Sequence, residues 1–215
     1  MVETMNFKKL TTLAIPFYEH DDPSHDFAHI KRILKTCTLF GEQLGADLNL
    51  LLPAALLHDI VNLPKDHPER KKGSEFAAHK AEELLLQADY SPAEIAAIKK
   101  IIIEHSFSRG EKPSTLESQI LQDADRLDTL GAIGIMRTTT VGSKMGAHYY
   151  HPEDPWAKQR DYDDKKYTLD HYFTKLFKLP AMMNTTLGQK EAEKRVLFMQ
   201  NFLHAFTQEV GIESK

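Results

Sequence analysis

Apolar residues along this chain recur at helical spacing almost throughout, and the strict alternation of a half-buried strand never persists. That restricts the fold to helices packed on helices, an all-α bundle. The periodicity predicts helices at about 4–19, 26–44, 47–60, 74–88, 92–105, 115–141, 165–178 and 186–210. Several begin or end on recognisable chemistry. Ser91-Pro92-Ala93-Glu94 places Ser at the N-cap, Pro at the first helical position and Glu where it can reach back to the Ser N–H. Ser114 or Thr115 can cap the helix after Pro113, and Gly45 suits a left-handed stop for the second helix.

Two stretches interrupt the pattern. One is 62–73, NLPKDHPERKKG, and the other is 142–164, GSKMGAHYYHPEDPWAKQRDYDD. Loops as long as the second are functional or disordered, and its aromatics, with the only tryptophan, Trp156, predict order. With 215 residues and no internal repeat, the expectation is a single domain over 1–215. Its core spans about 20–140, with a helical extension and the long loop over about 142–210.

Composition narrows the function. A formal net charge of −4 argues against a protein that coats nucleic acid, which would present a basic face. It leaves room for a small anionic substrate, because a bound divalent cation reverses the local sign of a site. The single cysteine, Cys37, precludes a disulfide within the chain and reads as a small buried hydrophobe. The first residues, MVETMNFKKLTTLAIPFYEHDD, lack the pattern of a signal peptide, and no apolar run suffices to cross a bilayer. A cytoplasmic protein is expected, with no membrane and no nucleic-acid polymer as partner. A homo-oligomer is left open.

The chemistry gathers at histidines and aspartates. His58-Asp59 closes the apolar run LLPAALLHDI, and an imidazole beside a carboxylate offers mixed N and O ligands to a borderline divalent ion. The ordinary use of such a pair is to cap or salt-bridge a helix end, so the other segments decide. His29 sits in HDFAHIKRIL, with His25 one turn earlier on the same face. ILQDADRLDTLGAIG puts Asp123, Asp125 and Asp128 on one otherwise apolar helix, and buried carboxylates need a counter-charge or a cation. Arg126 satisfies part of that need, and a metal on Asp125 would satisfy the rest. His105, after IIIE, shares a face with Ile98 and Ile101 or Ile102 and so points inward, as a hydrogen-bonded core residue or as a neighbour of the site.

The ordered set His29, His58-Asp59 and Asp125 resembles the H…HD…D signature of HD-domain metal-dependent phosphohydrolases, most closely the small bacterial YpgQ- and YedJ-like branch. The similar segments are HDFAHIKRI, LLHDIVNLPKDHPER, IIIEHSFS, LQDADRLDTLGAIGIMRT, DDKKYTLDHYFTKLFKL and MMNTTLGQKEAEKR. They run in order from residue 25 to about 200. The resemblance implies an HD-domain helical bundle with a C-terminal helical extension, and a divalent metal (Mn, Mg, Fe, Co, Ni or Zn). It also implies hydrolysis of phosphate esters or nucleotide anhydrides. By the same resemblance the metal ligands are His29, His58, Asp59 and Asp125, the last through the Asp-Arg of ADRLD. Asp123 competes for the fourth place, and His25 can replace or assist His29. Other branches carry a glutamate soon after the His-Asp pair, but Asn62 stands here, so acid–base work passes to Asp66, Glu104 or His105. The Gly-Tyr-Pro extension of the cyclic-dinucleotide branch is absent.

The expected chemistry is in-line attack of a metal-activated water on phosphorus in a small phosphorylated substrate, a nucleotide by preference. Asp59, Lys65, Asp66 and His105 form the catalytic set. Lys65 and Arg70, just after the His-Asp pair, are the first candidates to hold phosphate, followed by Arg126, Lys144, Lys175 and Arg195. Tyr149, with Tyr150, His151 and Trp156, can stack on a base or simply pack the long loop. Two readings compete: a non-catalytic sensor that binds metal and nucleotide, and a helical interaction module with no metal. The last leaves the inward carboxylates without partners.

Overall fold

The computed structural model describes residues 4–19, 25–61, 63, 67–106 and 112–211. Nine α-helices carry the fold among these residues. They are α1 (Met5–Ala14), α2 (Phe27–Leu44), α3 (Leu48–Leu57), α4 (Gly73–Gln87), α5 (Pro92–Glu104), α6 (Leu116–Leu127), α7 (Gly131–Lys144), α8 (Asp170–Thr174) and α9 (Thr186–Val210). Short 3₁₀ turns at Ile15–Tyr18, Arg70–Lys72 and Leu176–Met182 join some of them. No strand occurs among the described residues beyond one isolated bridge between His148 and Tyr167.

The chain forms two compact units, Met1–Ala124 and Asp125–Lys215, and the division falls inside the unbroken helix α6. In the first unit α3 is central. Its sequence, LNLLLPAALL, is apolar all round, as a helix surrounded by others must be. Residues 51–57 are all buried, and α1, α2 and α5 pack on it, with α4 against α5. Ile30, Ile33, Leu85, Ile98 and Ile102 complete this core. In the second unit α7 and the 3₁₀ segment Leu176–Met182 pack on α9, whose inward residues Ala192, Val196, Met199 and Leu203 follow the helical repeat.

The capping chemistry forms as the sequence suggests. Ser91 and Glu94 make the reciprocal box, Thr115 Oγ1 accepts from Ser118 N at 3.1 Å, and Gly45 closes α2 at φ 76°. Three helical spans need correction. The stretch 115–141 is two helices: beyond Leu127 the backbone tightens through Asp128 N→Asp125 O, Thr129 N→Arg126 O and Leu130 N→Leu127 O. It then becomes extended at Leu130 and restarts at Gly131 with φ 71°. A helical period cannot signal a left-handed residue that only glycine adopts without strain. The helix expected over 47–60 stops at Leu57, so His58 and Asp59 occupy the turn beyond it. The stretch 165–178 contains only α8 before the 3₁₀ segment that carries Pro180.

The long loop starts after α7, at residue 145 rather than 142, because Gly142 lies buried against Thr168. It is held by packing and charge. Trp156 is buried against the edge of Phe173, Tyr162 stacks on the same ring, and Arg160 grips buried Asp170 through two bonds of 2.6 and 2.9 Å.

Candidate metal centre

His29 is placed by a helix start. Asp26 caps α2, its carboxylate accepting from the His29 backbone N–H at 2.8 Å, which fixes the first turn and turns the imidazole inward to complete burial. His58 is placed by a helix end. It follows the last residue of α3, and its Nδ1 lies 2.9 Å from the Ala55 carbonyl oxygen. A carbonyl only accepts, so Nδ1 carries the proton and Nε2 keeps its lone pair for a ligand role. The peptide backbone orients the ring in the way that outer-sphere partners orient metal-binding histidines.

Asp59 lies between the two rings, with His29 Nε2 at 3.6 Å and His58 Nε2 at 3.5 Å from its Oδ2. Burial pushes its carboxyl up. Its histidine neighbours, His58 first and then His29 and His25, outweigh this and hold it well below the usual carboxylate range. Asp125 completes the group from α6. One donor atom from each of His29, His58, Asp59 and Asp125 lies within 4.8 Å of the others. Two imidazole nitrogens and two carboxylate oxygens at this spacing suit a borderline first-row divalent ion.

The three aspartates of α6 and the turn after it therefore separate by environment. Asp125 joins the histidines, Asp128 pairs with Arg137 at 2.6 Å, and Asp123 is fully buried outside the group. His25 stays near, its ring 6.0 Å from that of His29, but is also outside the group. Arg126 donates to the Met182 carbonyl.

Beside the centre lies a cleft of about 150 Å³ lined by His58, Asp59, Arg70, Gly73, Ser74 and His105, among others. His105 stands edge-on to His58 at 5.0 Å between ring centres, with its Nδ1 on the Ile102 carbonyl. Arg70 is anchored by a 2.8 Å bond from Nη1 to the Leu63 carbonyl, which leaves further donors of its guanidinium available. Lys65 and Asp66 lie outside the described residues, as does Asn62. Glu104 accepts from the Ser114 backbone N–H and hydroxyl. Burial opposes these bonds, yet they prevail, with help from Ser118 and Lys100, and its carboxyl sits below the ordinary value.

The second unit holds the remaining candidates. Lys144 ends α7 exposed, Lys175 is exposed after α8, and Tyr149 is 67% exposed. Arg195 is engaged within its unit, donating to Glu191 at 2.8 Å and to the Leu127 carbonyl at 2.6 Å. Trp156 packs the loop.

Two residues near the centre carry no sequence signal. Tyr18 donates its phenol to the Leu56 carbonyl at 2.5 Å, and burial, with the Asp59 charge, pushes that phenol well above its ordinary value. Ser74 opens α4 as a buried residue. A tyrosine after a 3₁₀ proline and a serine at a helix start are too common to flag.

Fold and site together define a class: all-helical proteins that present a His/Asp cluster suited to a divalent ion. The model of the HD domain matches residues 26–130. A crystal structure of an HD-superfamily hydrolase from Bacillus thuringiensis is 32% identical, covering 96% of this chain and 97% of that one at a TM-score of 0.73. The uncharacterized protein YpgQ of Bacillus subtilis (strain 168) is 28% identical over 220 residues, 100% of this chain and 99% of its own. The crystal structure of Bacillus subtilis YpgQ in complex with ADP is 26% identical, covering 96% of this chain and 97% of that one at a TM-score of 0.75. The chain belongs to the HD-domain family.

Proposed function

We propose that this protein is a divalent-metal-dependent phosphohydrolase that acts on nucleotides, cleaving a phosphoanhydride or a phosphomonoester. One observation carries the reading: His29, His58, Asp59 and Asp125 bring their donor atoms within 4.8 Å of one another, the histidines buried and the carboxylates half-buried. These four residues would hold the ion. When bound, such an ion supplies a water acidified from about 15.7 toward 7 and polarises a phosphoryl oxygen.

The chain's own groups do the rest. Arg70, at the cleft, counters charge on the phosphoryl oxygens. His105, with Nδ1 on a backbone carbonyl, presents Nε2 as the ring atom able to take or return a proton. Lys65 and Asp66 follow the His-Asp pair in sequence and are proposed as a further phosphate contact and an acid–base group. A relative solved with ADP supports a nucleotide as the substrate.

The test is release of phosphate or pyrophosphate from a panel of nucleoside mono-, di- and triphosphates with Mn²⁺, Co²⁺ or Mg²⁺. Turnover in wild type that disappears in Asp59→Ala and Asp125→Ala, but survives in Asp123→Ala, is the expected result. Tight metal and nucleotide binding with no turnover under any metal would replace the hydrolase reading with that of a sensor.

A further inference from the structure

We propose that the first turn of α4, with the Ser74 hydroxyl and the Arg70 guanidinium, is an anion subsite that receives a phosphoryl oxygen of the substrate. The proposal rests on the phosphohydrolase reading and names the residues that hold the group being cleaved.

The carrying observation is Ser74. Its side chain is 5% exposed, and Oγ has no hydrogen-bond partner among the described residues. Buried hydroxyls are nearly always paired, so an orphan one that lines a cleft marks the place of an absent partner. The cleft it lines also contains His58, Asp59, Arg70 and His105. A group seated there touches the candidate metal centre.

The surroundings favour an anion. α4 is a helix of 15 residues, and it begins at Lys72–Gly73 with no side-chain cap over its first N–H groups. The Gly73 N–H is taken by the Arg70 carbonyl, and the cleft that Gly73 and Ser74 line meets the positive end of the helix dipole. Arg70 sits one turn earlier, steadied by the Leu63 carbonyl, and adds a full positive charge. Gly73 adds room. Its φ of −52° is ordinary helix and a Cβ there would meet no atom within 4 Å, so neither backbone nor packing requires glycine. The acidic residue of this turn, Glu75, is not among the residues lining the cleft. Ser74 donates its hydroxyl proton to the phosphoryl oxygen, and no covalent step is involved.

The test uses the full chain loaded with Mn²⁺ and titrated with inorganic phosphate and with ADP by calorimetry, alongside thermal unfolding without phosphate. Ser74→Ala removes a hydroxyl that has no partner in the ligand-free protein. It should leave the unfolding midpoint unchanged or raise it, while phosphate affinity falls about ten- to a hundredfold, as for loss of one hydrogen bond to a charged group. A lower midpoint with affinity unchanged, or no change in either, overturns the subsite. Should Ser74→Ala lose both stability and affinity, Arg70→Gln decides, because that side chain is exposed and its loss spares the fold. Weaker phosphate binding in Arg70→Gln supports the subsite, and unchanged binding overturns it. Failure of the hydrolase reading is a separate event. Wild type then turns over no nucleotide, while the phosphate titrations still report on Ser74.

Discussion

His29 and His58 are each set by one local bond, and a single substitution should test the carboxylate between them. Asp59→Asn preserves shape and removes the charge that faces both imidazoles. Outer-sphere partners of metal ligands are worth about 10–100-fold in affinity, so loss of this carboxylate should weaken metal binding by at least that factor. Elemental analysis after dialysis is the check, and full metal content in Asp59→Asn would remove Asp59 from the centre. Glu104 gives a pH-dependent case. Its folded-state pKa lies below the unfolded value of about 4.3, so its contribution is present above that pH and is lost as pH falls through the folded value. Ser114→Ala removes one donor, the Ser114 hydroxyl at 2.7 Å. It should cost roughly 1 kcal/mol at neutral pH, measured by urea unfolding, and the difference from wild type should vanish well below pH 4. His29, His58, Asp59 and Asp125 were legible in the sequence because metal-type donors stood at the ends or on the inner faces of apolar helices. Periodicity did not separate Asp125 from Asp123, since both stand among apolar neighbours; the resemblance selected Asp125 through its Asp-Arg pair, and the structure puts Asp125 beside the histidines. Ser74 was illegible for the opposite reason: a serine at a helix start has an ordinary explanation, and only the missing partner makes it informative.

At the scale of elements, helix ends rather than helix middles deliver the chemistry. α2 presents His29 from its first turn, α3 delivers His58 and Asp59 just past its last, and α5 is followed at once by His105. Asp26→Ala should cost about 1 kcal/mol through loss of the N-cap and should also loosen metal binding, because the same bond fixes the turn that bears His29. Asp26→Ser, which retains a capping oxygen, should restore both. Weakened metal binding that persists in the serine variant would mean that Asp26 acts by charge and not by fixing the turn. Helical periodicity made most of these elements readable. It missed the interruption between α6 and α7, because that break is written in backbone angles: Leu130 is extended and Gly131 is left-handed, with Arg195 methylenes 3.3–3.5 Å from where a Cβ would sit. Gly131→Ala meets both obstacles and should destabilise by roughly 1–2 kcal/mol, read as a lower urea midpoint. An unchanged midpoint would show that the turn relaxes freely.

For the whole molecule, three separate stretches of sequence supply one centre, with its two histidines buried and its two carboxylates half-buried. Residue 29, the pair 58–59 and residue 125 are far apart in the chain, so the unfolded state cannot present them together, and an ion that binds them binds the folded protein. Linkage then requires stabilisation of about 2.7 kcal/mol when free metal reaches 100 times its dissociation constant. For a chain of this size 1 kcal/mol moves the midpoint by roughly 2–4 °C, so saturating Mn²⁺ should raise it by roughly 5–10 °C. A chelator should reverse the shift completely. Asp125→Ala should abolish it, whereas Asp123→Ala should retain it from whatever starting midpoint that variant has. The measurement is independent of turnover and of the substrate, so it separates two questions that an activity assay merges: whether the cluster binds a metal, and whether the bound metal hydrolyses nucleotides. A shift in wild type that persists undiminished in Asp125→Ala would move the ion to other ligands, and the hydrolase proposal would lose the geometry on which it stands.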